Sequence, residues 1–171
     1  MAAGPIASTE FRRALGHFAT GVTVVTVERE HGPVHGQVHG MTANSFTAVS
    51  LEPPLISVCV DERARILPML KEKRRFGVSV LKHDQQGISE YFAKPEQPHA
   101  ALERLGISYC WTAEKIPLLE NVLCQLSCRL SGVHVAGDHT IVIAEVHSAN
   151  FFEGEPLLFY RGQYHSISER P

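Results

Sequence analysis

This 171-residue sequence lacks the short signatures of the common nucleotide and hydrolase folds. G-x-G-x-x-G is absent, and so is a bare G-x-G, which excludes the phosphate-cradling turn of a Rossmann unit. The P-loop G-x-x-x-x-G-K-[ST], the nucleophile elbow G-x-S-x-G and the zinc-protease H-E-x-x-H are missing as well. No apolar run approaches the ~18 residues of a membrane span. Met1 to Thr9 lacks the basic-then-apolar order of a secretory signal, so the expectation is a cytoplasmic protein with no membrane contact. Excess positive charge is lacking too: 16 Lys and Arg face 18 Asp and Glu, for a formal net charge of −2. Counterion release from nucleic acid needs a basic surface, so no nucleic-acid partner is expected. The run Lys71, Lys73, Arg74, Arg75 is broken by Glu72 and reads as a solvated helix end.

Cysteine is sparse and badly spaced for cross-linking. None of the four forms a C-x-x-C pair. Cys124 and Cys128 fall in a strand-like stretch, about 13 Å apart, too far for a disulfide or a shared metal. All four cysteines, Cys59 and Cys110 included, are expected as small buried hydrophobes. Ten histidines invite a metal, but spacing opposes it. His35 and His39 are about 13 Å apart on an extended chain. His134 and His139 straddle a turn with no further ligand at the right spacing, so no metal site is expected.

What is present describes one globular unit. Hydrophobic residues make up 44% and charged residues 20%, ordinary proportions that oppose disorder. A chain of this length buries roughly 70% of its unfolded surface without staples, so residues 1–171 are expected as a single domain with a flexible 1–8. Ser8 or Thr9 can cap a helix to about Ala19, with Phe11, Leu15 and Phe18 on one face and Gly21 ending it. Val22 to Val27 (VTVVTV) is nearly unbroken in β-branched residues, the pattern of a strand covered on both faces. His31-Gly32-Pro33 signals a turn before an extended Val34 to Met41. Phe46 to Ser50 and Leu55 to Asp61 read as strands around Glu52-Pro53-Pro54, a rigid loop or sheet edge because proline cannot donate to a ladder.

Arg65 to Arg74 fits a short helix if Pro68 lies in its first turn. Phe76 to Leu81 is a strand, and Asp84 can cap a helix from Gln85 to about Ala93. A brief helix at Ala100 to Leu105 precedes a strand at Ile107 to Trp111. Leu126, Cys128 and Leu130 alternate with Ser127, Arg129 and Ser131, the period-two signature of a strand with one buried face. Gly137-Asp138-His139 is a turn; Thr140 to Val146, Leu157 to Tyr160 and Gln163 to Ser166 are further strands. About eight short strands with regular turn signals suggest a closed barrel.

Two polar segments are candidates for chemistry. Gly40-Met41-Thr42-Ala43-Asn44-Ser45-Phe46 brings two hydroxyls, an amide and small residues to a strand end. Such a cluster can hold a phosphate or the polar edge of a heterocycle, or it can be a turn whose side chains cap their own backbone. Gly137-Asp138-His139 exposes a histidine between two strands, by itself a weak signal.

These segments together resemble the flavin reductase-like family. The resemblance runs in order through Phe11-Arg12, Phe18-Ala19-Thr20-Gly21-Val22-Thr23-Val24-Val25-Thr26 and Met41-Thr42-Ala43-Asn44-Ser45-Phe46. It continues through Ser50-Leu51-Glu52-Pro53-Pro54-Leu55, Phe76-Gly77-Val78-Ser79-Val80-Leu81 and Gly137-Asp138-His139 to Pro156-Leu157-Leu158-Phe159-Tyr160-Arg161-Gly162-Gln163-Tyr164. It implies a mainly β, Greek-key-like, FMN-binding split β-barrel with a few short flanking helices. Family members are NAD(P)H:flavin oxidoreductases that pass a hydride from NADH or NADPH to FMN or FAD and supply the reduced flavin to a partner monooxygenase by diffusion. Carried onto this chain, the resemblance places Met41, Thr42, Ala43, Asn44 and Ser45 along the flavin, with Cys59, Val60 and Asp61 beside its ring. Lys82, Ser89 and Phe92 stand where the family gathers the phosphate and ribityl chain. Gly137, Asp138 and His139 form the turn that receives the nicotinamide, with His139 the leading catalytic candidate, and Tyr160, Arg161 and Tyr164 flank the same cavity. One departure is Ser79, where many relatives have asparagine; it is left outside the expected site. The family also implies a homodimer, for which Val22 to Val27 and Phe151-Phe152 offer apolar surface. Two alternatives stay open: a reductase that retains FMN and serves a quinone, a ferric chelate or a corrin, and a flavin-binding module without turnover.

Overall fold

The structure is a computed structural model, and it describes residues 4, 6–29 and 37–167. Residues 1–3, 5, 30–36 and 168–171 lie outside that description, and with them half of the expected flexible N-terminus 1–8, the turn at His31-Gly32-Pro33 and His35.

The backbone builds twelve strands and four short helices among the described residues. Helix α1 (Ser8–Leu15) leads through β1 (Thr20–Gly21) to β2 (Thr23–Arg29), β3 (Gln37–Ala43), β4 (Thr47–Leu51) and β5 (Pro54–Asp61). Helix α2 (Ile66–Lys73), β6 (Arg75–Val80), α3 (Gln86–Phe92) and α4 (Ala100–Arg104) follow. The second half is β7 (Tyr109–Trp111), β8 (Pro117–Leu119), the long pair β9 (Cys124–Ala136) and β10 (His139–Phe151), then β11 (Leu158–Tyr160) and β12 (Gln163–His165). Seven strands form one antiparallel sheet in the order β3-β2-β6-β9-β10-β5-β4. Its hydrogen-bonded ladders end at β3 and β4, which are joined by the three residues 44–46. This is a mainly β architecture with flanking helices.

Two cores explain why β2 has no polar face. Val25 and Val27 pack into one cluster with Val58, Val60, Phe76, Val142 and the α2 residues Ile66, Leu67 and Leu70. Val22 and Val24 pack on the other side with Leu81, Phe92, Leu119 and Leu157. The threonines in this doubly covered strand stay satisfied: Thr23 Oγ1 donates to Ala43 O at 2.7 Å and Thr26 Oγ1 to Pro117 O at 2.5 Å. Val22 to Val27 is thus buried within one chain and needs no partner subunit for cover.

Several expectations are corrected. The helix α1 stops at Leu15 rather than Ala19, its N-cap is Ala7 with no side-chain bond, and Gly16 closes its last turn. Its apolar face is not packed: Phe11, Leu15 and Phe18 are 51%, 57% and 76% exposed. Asp84 does not cap α3; the N-cap is Gln85, whose amide instead receives the Lys82 N–H and donates to Asn121 O. The strand β9 is not half-buried in a simple alternation. Gln125 and Ser127 are buried because β8, unseen in the sequence, crosses over that face. Gln125 Nε2 accordingly donates to Leu119 O at 2.7 Å. Of the four cysteines only Cys128 is buried, with Cys59, Cys110 and Cys124 half-buried. Pro68 does fall in the first turn of α2.

Candidate active site

The antiparallel register draws three separated sequence segments to one edge. Strand β5 pairs with β10 so that Asp61 lies opposite His139, Val60 opposite Thr140 and Cys59 opposite Ile141. The 44–46 link crosses the same end. Ser45 Oγ accepts the Cys59 N–H at 3.1 Å and reaches Cys59 O at 3.1 Å, which stitches the end of β3 onto β5. Asn44, Ser45, Cys59, Asp61, Gly137, Asp138 and His139 therefore line one continuous margin.

Its polar groups are open where a ligand would need them. Asn44 is exposed, and its amide makes no hydrogen bond among the described residues. None of the N–H groups of residues 44–46 donates to a backbone carbonyl among the described residues. Exposed donors of this kind, left over by the ladders on either side, suit the acceptor edge of a heterocycle such as a flavin ring. The margin fits the group that the resemblance implies.

The electrostatics of the His139 end are set by two carboxylates. Arg63 clamps Asp61 through its side chain, at 2.9 and 3.1 Å, and through its backbone N–H at 2.8 Å. Those bonds, before any charge attraction, hold the Asp61 carboxyl well below the usual range. Asp138 Oδ1 lies 2.7 Å from His139 Nδ1, and that hydrogen bond likewise depresses Asp138. An ionised carboxylate only accepts, so Nδ1 carries the proton in this pair and Nε2 is the free nitrogen. The glycine of the turn, Gly137, takes φ +65°, the left-handed region that a residue with Cβ resists. Thr140, directly after His139, bonds the Glu62 carboxylate and fastens the turn to the residues following β5.

The remaining expected residues fall elsewhere. Met41 packs on the first core, Ala43 is 7% exposed and Val60 is fully buried, so they reach the margin by backbone only. Thr42 Oγ1 donates to Ser89 O at 2.6 Å, and Ser89 Oγ shares a proton with Tyr164 OH at 2.8 Å. This chain ties β3, α3 and β12 together. Ser89 is fully buried and Phe92 is 2% exposed with its ring against Gly40. Both residues hold α3 against β3. Lys82 is half-buried; it bridges to Pro156 and its stem lies along Gly154. Tyr160 and Arg161 turn toward α1 rather than His139: the Arg161 N–H donates to Gly16 O at 2.8 Å, and its guanidinium covers the Tyr160 ring at 5.3 Å. Ser79 is buried and accepts the Leu119 N–H, a structural task. Arg63 escaped the sequence reading, although its place two residues after Asp61 was a usable signal.

Among the described residues no group of three or more His, Cys, Asp or Glu side chains is placed to hold a metal ion. No described helix is long and apolar enough to cross a membrane.

Comparison with known proteins agrees with this reading. The flavin reductase like domain matches residues 15–168. An NADH-dependent flavin reductase from a Rhodococcus species is 40% identical over 156 residues, 91% of this chain and 84% of the relative. The reductase component of 4-hydroxyphenylacetate 3-monooxygenase from Thermus thermophilus is 35% identical, over 92% of this chain and 95% of the relative. The solved structure of an NADH:FAD oxidoreductase from Streptomyces globisporus superposes with a TM-score of 0.84 at 33% identity, covering 99% of this chain and 98% of the other. The chain belongs to the flavin reductase-like family, the short-chain NAD(P)H flavin reductases that act as reductase components of two-component monooxygenase systems.

Proposed function

We propose that this chain transfers a hydride from NADH to free FMN or FAD and releases the reduced flavin to a separate monooxygenase. The observation that carries the reading is the shared margin of Asn44, Ser45, Asp61 and His139, drawn from three segments by the β5–β10 register and the Ser45–Cys59 stitch. The Rhodococcus relative is an NADH-dependent flavin reductase, and the Thermus relative serves a monooxygenase, which supports both halves of the proposal. The flavin, when bound, supplies the hydride-accepting chemistry. The protein supplies position and charge. Asn44 and the free N–H groups of 44–46 hold the ring edge and favour the negative charge that grows there. His139, with Nδ1 tied to Asp138, would use Nε2 to hold and orient the nicotinamide. No group in this set must surrender a proton for the hydride to pass.

A partner subunit belongs to the same proposal. Phe11, Leu15 and Phe18 on and after α1, and Phe151 and Phe152 at 78% and 48% exposure, leave apolar surface that a homodimer would cover. The sheet edges at β3 and β4 are the place where a split barrel would close, with the 44–46 link across the gap.

The test is equilibrium dialysis followed by gel filtration of protein loaded with FMN or FAD. Flavin that leaves the protein during filtration, with binding that returns on addition of free flavin, supports the diffusible-substrate reading. Flavin that co-elutes stoichiometrically contradicts it and marks a retained prosthetic group.

A further inference from the structure

We propose that Arg63 is a positioning residue for the nicotinamide: by gripping Asp61 it keeps that carboxylate off Nε2 of His139 and leaves the nitrogen open. The consequence for turnover rests on the flavin reductase reading; the contest between Arg63 and His139 for Asp61 does not. The basis is the run Asp61-Glu62-Arg63 at the end of β5, which meets Asp138-His139-Thr140 at the start of β10. The two runs are stitched at separate points. The Glu62 N–H donates to Asp138 O at 3.0 Å, and Thr140 Oγ1 bonds the Glu62 carboxylate. Asp61 and His139 stand directly opposite in the register.

Three carboxylates crowd this junction, and each has its own partner. Asp138 takes His139 Nδ1, Glu62 takes Thr140 and Asp61 takes Arg63. The grip on Asp61 is forked: Arg63 Nε donates to Oδ1 at 3.1 Å, Nη2 to Oδ2 at 2.9 Å, and the backbone N–H to Oδ1 at 2.8 Å. Both oxygens are engaged, so the direction of the carboxylate is fixed as well as its place. Such a pair does little for stability, because the Arg63 side chain is 87% exposed. Its effect lies in where it points Asp61. His139 is close enough to matter: the Arg63 bonds first, and the His139 charge last, hold the Asp61 carboxyl below its ordinary value.

Residues directly opposite in an antiparallel pair share one face of the sheet, with Cβ atoms about 4.5–5.5 Å apart. A carboxylate released by Arg63 is therefore within a side chain's reach of the imidazole. Nδ1 is already given to Asp138, so the new bond forms at Nε2. An ionised carboxylate only accepts. Nε2 must then take a proton from water, and His139 becomes an imidazolium between two carboxylates, which favours the charged ring. The nitrogen that would orient the nicotinamide is closed. The charged groups facing His139 are Asp138 beside it and Asp61, Glu62 and Arg63 across from it. On β9 its opposite is Ala136, and the nearest titratable residue of that strand is His134, opposite Ile141.

The test compares the native full chain with Arg63→Gln and with the double variant Arg63→Gln, Asp61→Asn. His139 is followed by its ring-proton titration, and the reaction by the KM for NADH at saturating flavin. Arg63→Gln should raise the His139 titration midpoint above that of the native chain. It should also raise the KM for NADH about fivefold, with the dissociation constants of FMN and FAD hardly moved. The second substitution removes the competing carboxylate, so the double variant should return both the midpoint and the KM toward the native values. If Arg63 served stability alone, Asp61→Asn would restore neither. A His139 midpoint that stays put in Arg63→Gln, a KM that stays raised in the double variant, or NADH and both flavins weakened alike would each overturn the proposal. Absence of NADH oxidation by the native chain with every flavin would instead sink the reductase reading. The titration would still decide whether Arg63 withholds Asp61 from Nε2.

Discussion

At the scale of single residues, His139 and its carboxylate neighbours concentrate the chemistry in a few atoms. His139→Ala should lower NADH oxidation by up to about 100-fold, because hydride transfer is steep in donor placement. Flavin affinity, read by equilibrium dialysis, should hardly move, and an unchanged rate would remove His139 from the account. His39 gives a different readout. Its folded-state value lies below the ordinary 6.5, so the unfolded chain takes up the proton first. The stability His39 contributes is therefore complete above pH 6.5 and is lost as pH falls from there through the depressed folded value. Unfolding midpoints measured across that window should fall with pH in the native chain and flatten in His39→Gln. Cys128 is the inert counterpart: burial pushes its thiol up to about 12, so a thiol reagent at mildly alkaline pH should leave it unmodified until the chain unfolds. The clustering of Asn44, Ser45 and the Gly137-Asp138-His139 turn was legible as polar groups standing at strand ends. The assignment of Ser89 and Phe92 was not, because their family position does not reveal that Tyr164 takes the hydroxyl and Gly40 the ring. Arg63 was passed over although it stands two residues after Asp61, close enough for its side chain and backbone N–H to clamp that carboxylate.

At the scale of elements, close approach decides what the sequence can tolerate. A Cβ at Gly40 would stand 2.5 Å from Phe92 Cδ1, and one at Gly77 would strike Pro117 O and lie 2.7 Å from Thr26 Oγ1. Gly77→Ala meets backbone and should destabilise by about 1–3 kcal/mol or more, whereas Gly40→Ala meets a ring that can shift and should cost less. Chemical denaturation of the two variants tests the order. The β-branched run of β2 was readable because both faces of that strand are covered by apolar partners. The short pieces β1 and β8 carry two and three residues each and owe their conformation to the strands they cross. Local pattern has nothing to say about them. Helix caps failed for a related reason: Ser8, Thr9 and Asp84 have the right chemistry, but Ala7 and Gln85 occupy the capping positions, and tertiary bonds of Gln85 fix the start of α3.

At the scale of the whole molecule, antiparallel register is what makes a site from distant segments. The β5–β10 pairing carries His139 to Asp61 across 78 residues of sequence, as the order of the chain alone could not. The same scale explains why the family resemblance read more of the fold than periodicity did: ordered landmarks fix the topology, while alternation fixes only one strand at a time. The apolar helix face of Phe11, Leu15 and Phe18 remains uncovered within one chain. A homodimer that covers it predicts that charging the face, as in Leu15→Glu, shifts sedimentation toward the monomer while far-ultraviolet dichroism stays native. The most direct test of the central claim is the rate of NADH oxidation by flavin-free protein as free FMN or FAD is raised in excess over enzyme. A rate that climbs and saturates with flavin is the predicted result and makes flavin a substrate; no oxidation with either flavin, and with NADPH in place of NADH, would contradict it.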